Sequence, residues 1–132
     1  MIKKYLLALF IASAAFKLQA QSIDQSKSQV SFEVDNMGIR SVEGLFTGIK
    51  GNITFNPSNL SNASFDVCID ASSINTENTK RDNHLKNKDF FQVDSFPTIC
   101  FKSKSIVKSK EGYNVTGDLT MLGSTLEITF PF

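Results

Sequence analysis

Residues 63–70 read Ala-Ser-Phe-Asp-Val-Cys-Ile-Asp, so that Ala63, Phe65, Val67 and Ile69 alternate without interruption with Ser64, Asp66, Cys68 and Asp70. Successive side chains of an extended chain point to opposite faces, so this stretch reads as a strand with one apolar and one polar face. A sheet with one wet face is antiparallel by default, because parallel sheets bury both faces.

The pattern recurs on either side. Val30, Phe32 and Val34 alternate with Ser31, Glu33 and Asp35, and Asn36 to Gly38 then turns the chain. Val42 to Phe55 reads as one long or broken strand, with Gly44, Gly48 and Gly51 where a bend or a close backbone approach excludes a side chain. Asn56-Pro57-Ser58-Asn59 is a turn by residue chemistry. Ile99 and Phe101, then Tyr113, Val115, Leu119 and Met121, then Leu126, Ile128, Phe130 and Phe132 continue the alternation, with turns at Glu111-Gly112 and Gly123-Ser124. The chain is therefore expected to be all-β and antiparallel, and periodicity alone favours a packed sandwich interior over a cavity.

One segment departs from this. Asn75 to Phe96 is charged and non-alternating, and the residue types predict a short helix from about Glu77 to Lys88, capped by Asn75 or Thr76. Leu85 is its only apolar residue before Phe90, so such a helix must be held by what it docks against. Phe90, Phe91, Val93 and Phe96 are the expected anchors of a flap over one end of the barrel.

The chain has 132 residues, enough for one domain. Lys3 and Lys4 precede an apolar run from Tyr5 to Phe16, and Lys17 to Ala20 ends on a small residue. That layout predicts a secretory signal peptide over residues 1–20 and a mature domain over 21–132. This run of twelve residues rises only ~18 Å as a helix against a hydrocarbon layer of ~30 Å, so no membrane span is expected. Removing residues 1–20 removes Lys3, Lys4 and Lys17 and no acid, so fourteen bases against thirteen acids become eleven against thirteen. Without a basic excess or block to displace counterions, nucleic acid is not an expected partner.

The ordered set Ser73-Ile74-Asn75-Thr76, Arg81-Asp82-Asn83-His84-Leu85, Asp89-Phe90-Phe91 and Phe96-Pro97-Thr98-Ile99 resembles the YceI-like family. Ser28-Gln29-Val30-Ser31-Phe32, the Gly44-Leu45-Phe46 step, and Gly117-Asp118-Leu119-Thr120 followed by Gly123 and Thr125 agree with it. The resemblance implies a lipocalin-like antiparallel β-barrel that binds polyisoprenoid chains, and it turns the balance from a packed interior to one that holds a slender ligand. Family members generally continue for several more strands, whereas this chain stops inside an alternating run at Phe132, so the barrel is expected to lack its C-terminal strands. The unpaired apolar edge that results favours association, including a homodimer.

On this reading the protein is an exported, periplasmic or secreted, carrier of an isoprenoid or other long-chain lipid. The ligand is contacted by Phe32, Phe65, Val67, Phe101, Leu119 and Met121 and covered by Phe90 and Phe91. Arg81 and His84 are candidates for a headgroup contact; otherwise Arg81 and Asp82 tie the flap to barrel backbone and neighbouring strands. Asp82 and His84 are two apart and point away from each other on a helix, which argues against a catalytic dyad. Ser72 and Ser73 lack a glycine-flanked elbow, so a turn role is expected of them. One histidine without a cysteine neighbour has no zinc spacing, and no metal, cofactor or catalytic residue is expected. A structural or stress-related exported domain without ligand is the alternative, and a hydrolase-like enzyme using flap residues the next.

Cys68 and Cys100 lie on the outward faces of the two strands that flank the flap. If those strands pair, a register matching 68 to 100 also matches Asp70 to Thr98 and keeps both apolar faces on one side. A disulfide is then reachable and suits an oxidising compartment, with two free cysteines as the alternative.

Overall fold

The computed structural model describes residues 21–132 apart from Met37 and Ile39. The expected signal peptide, residues 1–20, lies outside the described residues. Among the described residues eight strands form, Gln21–Ser22 (β1), Val30–Asn36 (β2), Arg40–Phe46 (β3), Ile49–Thr54 (β4), Ser64–Asp70 (β5), Thr98–Lys108 (β6), Tyr113–Met121 (β7) and Ser124–Pro131 (β8), with one α-helix, Thr79–Leu85 (α1). The fold is all-β, and every strand pairing is antiparallel, as the alternation predicts.

The strands do not close into a complete barrel. A six-stranded sheet has the order β1-β4-β5-β6-β7-β8, and β2 and β3 form a separate two-stranded sheet. Val42 to Phe55 is thus two strands in two sheets, and the break has a local cause. Ser73 Oγ accepts the backbone N–H groups of Thr47 at 3.1 Å and Gly48 at 3.2 Å while donating to the Asp70 carbonyl at 2.6 Å. Gly48 lies so close to β5 that a Cβ there would stand 2.6 Å from Asp70 Cβ. Any larger residue would hold the bend away from the sheet. Ser73 therefore has the turn role expected of it.

Register carries the inner face across the sheet. Val67 pairs with Phe101, Phe101 with Leu119 and Leu119 with Leu126, while Ile69 pairs with Ile99. A bulge between Ser103 and Ser105 shifts the parity of β6, so that Ile106 returns to the inner face opposite Val115. Val115 is fully enclosed.

The buried side chains form two clusters. Phe46, Ile49, Ile69, Ala71, Ile74 and Ile99 gather beneath the flap, and Phe101, Ile106 and Val115 gather toward the opposite end. Val67 and Leu119 pack against both, so the two are halves of one apolar band.

The helix is shorter than the residue types predict. Glu77 has φ 60°, outside the helical region, so the helix cannot start there. Asn78 becomes the N-cap, its Oδ1 accepting from Arg81 N at 3.0 Å, in place of Asn75 or Thr76. At the other end the Phe91 N–H bonds the Leu85 carbonyl at 2.9 Å and turns the chain inward before Lys88.

Candidate functional site

The candidate site is the apolar band together with the flap that packs on one end of it. Phe65 and Val67 of β5, Phe101 of β6 and Leu119 and Met121 of β7 all belong to the clusters on the inner face, as their alternation requires. Phe101 is buried, 7% exposed, and the others are half-buried. Phe32 of β2 joins them from the separate hairpin.

An aromatic chain links hairpin, sheet and flap. The Phe32 ring lies 5.5 Å from that of Phe46, and Phe46 meets Phe91 edge-on at 5.8 Å. Phe91, Leu85 and Val93 are the flap side chains that pack on the core beneath them. Phe90 does not share that cover. It is 45% exposed and sits 5.0 Å from the His84 ring on the outside of the flap. The reason is local: consecutive residues at the flap's inward turn diverge, and the backbone bond from Phe91 to Leu85 commits Phe91 to the inner side.

Arg81 and Asp82 converge on Thr76, which residue type alone marks only as a possible helix cap. Asp82 Oδ1 accepts from Thr76 N at 2.9 Å and from Thr76 Oγ1 at 2.6 Å. Arg81 Nε donates to Thr76 Oγ1 at 2.7 Å, and its terminal nitrogen donates to the Thr76 carbonyl at 2.7 Å. Thr76 is buried, 4% exposed, and this network satisfies its polar groups. The flap residues therefore tie down the flap's own entry segment rather than neighbouring strands. Attachment to the hairpin comes from Asn75, whose N–H and carbonyl both bond Leu45, at 2.9 and 3.0 Å. Asp82 and His84 are not brought together: one faces Thr76 and the other Phe90.

At the opposite end a second aromatic group closes the band. Phe55 contacts Tyr113 at 4.9 Å and Phe132 at 5.5 Å, and Phe65 contacts Phe132 at 4.8 Å. Along β8 Leu126 is 68% and Phe130 37% exposed, and Phe132 just beyond the strand is 43% exposed. Phe46, Phe55 and Phe130 were legible as members of the alternation but not as site residues, because a strand pattern does not say which end of a sheet is covered.

Other concavities are polar or shallow. A cavity of about 460 Å³ lies between the hairpin and the flap entry, lined by Phe32, Glu33, Glu43, Gly44 and Glu77 among others. A second of about 350 Å³ lies on the flap's outer side against Asn78, Lys80, Arg81 and His84. Cys68 and Cys100 form a disulfide in the expected register, with Asp70 opposite Thr98. Among the described residues no group of three or more His, Cys, Asp or Glu is placed to hold a metal ion, and no helix is long and apolar enough to cross a membrane.

Residues 21–132 match the family described as the YceI-like domain. The chain is 32% identical to Protein YceI of Escherichia coli over 97% of its own length and 71% of that protein's. It is 34% identical to a UPF0312 protein of Yersinia enterocolitica over 76% of its own length, spanning about half, 52%, of that relative. Among solved structures it resembles Burkholderia cenocepacia BcnA, with a TM-score of 0.73 and 30% identity over 83% of this chain and 69% of that one. The Campylobacter jejuni YCEI protein is similar at a TM-score of 0.61 and 30% identity, over 84% of this chain and 66% of that one.

Proposed function

The chain belongs to the YceI-like domain family, and from that premise we propose that it is an exported protein that binds one long apolar chain, a polyisoprenoid or similar lipid, and performs no chemistry on it. The observation that carries this reading is the continuity of the inner face. Val67 and Leu119 pack against both apolar clusters, so the inner face runs unbroken from the flap to the opposite end.

Burial of ~400 Å² of apolar ligand at ~25 cal/mol/Å² contributes ~10 kcal/mol, against ~4 to 15 kcal/mol lost on association. At the favourable end of that range the net is ~6 kcal/mol, a dissociation constant of roughly tens of micromolar without a charged anchor. Phe32, Phe65, Val67, Phe101, Leu119 and Met121 are the proposed contacts, with Phe91 as the cover and Phe90 assigned to the outer surface. Arg81 is engaged with Thr76, which leaves His84 and Lys80 for any headgroup. The disulfide and the basic-then-apolar residues 1–20 support a periplasmic or secreted location.

The test is organic extraction of the purified, folded protein followed by mass spectrometry, with uptake of an added polyprenol measured in parallel. A co-purifying or captured long-chain lipid supports the reading. Folded protein that carries no lipid and takes up none overturns it.

A further inference from the structure

The disulfide lies outside the apolar band, and its surroundings are asymmetric. Cys68 and Cys100 are register partners on the outward faces of β5 and β6, both are half-buried, and Cys68 lines an outward cavity. A thiolate attacks a disulfide sulfur along the S–S axis. Because the bond bridges β5 to β6, Cys68 is approached from the β4 side and Cys100 from the β7 side.

Those two sides differ. On the β4 side a cavity of about 210 Å³ opens on Cys68, lined by Gly48, Lys50, Asp70 and Pro97 among others. Lys50 is the register partner of Cys68 and is exposed, placing an ammonium beside the line of attack. The Asp70 carboxylate in the same cavity is engaged, its Oδ1 accepting from Ser72 N at 2.8 Å and Ser72 Oγ at 2.7 Å. On the β7 side Cys100 faces Thr120, whose hydroxyl is paired with that of Thr125 at 2.9 Å.

We propose that Cys68 is a modification site for a low-molecular-weight anionic thiol. The thiolate enters the cavity and bonds Sγ of Cys68, the S–S bond breaks, and its electron pair leaves with Cys100 as thiolate, giving a mixed disulfide at Cys68. A second thiol molecule attacking that mixed disulfide releases Cys68, so two thiols are oxidised to one disulfide as the protein's own bond is reduced. The outward charges set the direction. Lys50 offsets the Asp70 carboxylate in the path of the incoming anion, and the leaving group decides between the sulfurs: Asp66 and Asp70, two residues to either side of Cys68, disfavour negative charge there, whereas Lys102, two residues from Cys100, favours it at Cys100. The bond also closes the neck of the flap. Once it opens, the neck is held by strand pairing up to Asp70 and Thr98 and by the Ala71 N–H on the Pro97 carbonyl at 2.9 Å.

The experiment uses the native oxidised chain with excess glutathione, quenched in acid at short times, alkylated and mapped by peptide mass spectrometry. Glutathione on Cys68 with alkylated Cys100 is expected to exceed the reverse product by about tenfold. Lys50→Glu is expected to slow the reaction about tenfold with glutathione and to leave it unslowed with cysteamine, a cationic thiol. Thr120→Val, on the other flank, should change neither rate. Glutathione found on Cys100, an even distribution, a rate indifferent to both Lys50→Glu and Lys50→Ala, or exchange only after unfolding would each overturn the proposal.

Discussion

Phe32 of β2 lies across Gly44, its register partner on β3, so that a Cβ at position 44 would stand 2.8 Å from Cε1 of the Phe32 ring and 3.0 Å from Thr76 Cγ2. The missing side chain at 44 is what lets the hairpin's aromatic residue reach Phe46 and the flap entry at once. Gly44→Ala is therefore expected to displace Phe32 and destabilise the fold by ~1 to 3 kcal/mol through overpacking, read as a lowered urea midpoint with unchanged slope. Phe32→Leu in the same background should recover part of the loss. A midpoint unmoved by Gly44→Ala would show that the ring has room to shift.

The Thr76 network separates flap structure from flap surface. Asp82→Ala removes the acceptor for two donors of a buried residue and is expected to cost ~1 to 3 kcal/mol. His84→Ala alters an exposed ring against an exposed Phe90 and should stay within ~0.5 kcal/mol. Thermal denaturation of the two variants side by side checks the ranking, and equal losses would contradict it. Neither variant is expected to change any bound lipid chemically. A product formed by the parent protein and lost in His84→Ala would instead support an enzyme.

Phe101 tests whether the band is core or cavity. It is buried, pairs with Val67 and Leu119, and lies 5.1 Å from Phe130. In a packed core Phe101→Ala should cost ~3 to 5 kcal/mol, whereas beside a ligand much of the loss should appear as weaker lipid binding. Stability without added lipid and affinity for a polyprenol, measured on the same samples, distinguish the two. Leu126→Glu, at a position 68% exposed, should weaken lipid binding while leaving the lipid-free stability nearly unchanged.

Lys104 bonds Asp118 and Glu127, each at 2.8 Å, on the outer face. The hydrogen bonds that the Lys104 ammonium donates to these carboxylates, Asp118 first, raise the lysine's pKa above its ordinary value. A folded-state pKa above the unfolded one means that the contribution is fully present at neutral pH and is lost only as pH rises beyond the ordinary lysine range. Lys104→Met should therefore lower the melting temperature slightly at pH 7, with a smaller effect in high salt, as for any exposed pair. An effect that grows with salt would assign Lys104 a packing role instead.

Closing a loop with a sequence separation of 32 between Cys68 and Cys100 should stabilise the fold by ~3 to 4 kcal/mol in the chain-entropy model. Thiol titration of the unfolded, non-reduced protein should find no free thiol, and Cys68→Ser with Cys100→Ser should lower the urea midpoint accordingly. Two free thiols per chain would contradict the bridge.

Much of the fold is written in short-range pattern. The alternation in 63–70 assigns Phe65, Val67 and Ile69 to one face and Cys68 to the other, because the side-chain period of a strand is two whatever surrounds it. That parity also limits the registers of two paired strands, so aligning the apolar faces of β5 and β6 places Cys68 against Cys100 and Asp70 against Thr98. Residue chemistry likewise locates the turns and the non-alternating flap, and the ordered residue set from Ser73 to Ile99 carries the family.

Tertiary structure decided what depends on contacts between distant residues. Sequence spacing did not show that Ser73 would hold Thr47 and Gly48 and split one alternating run between two sheets. Nor did it show that Arg81 and Asp82 would close on Thr76, or that Phe90 and Phe91 would part, one to solvent and one to Phe46. The helix boundary moved for the same reason: Asn75 is held by Leu45, Thr76 is buried beside it, and Glu77 turns through φ 60°, so the first position free to cap is Asn78. Periodicity reports which way a side chain points from its own backbone; what it meets there is set by the packing of the other strands.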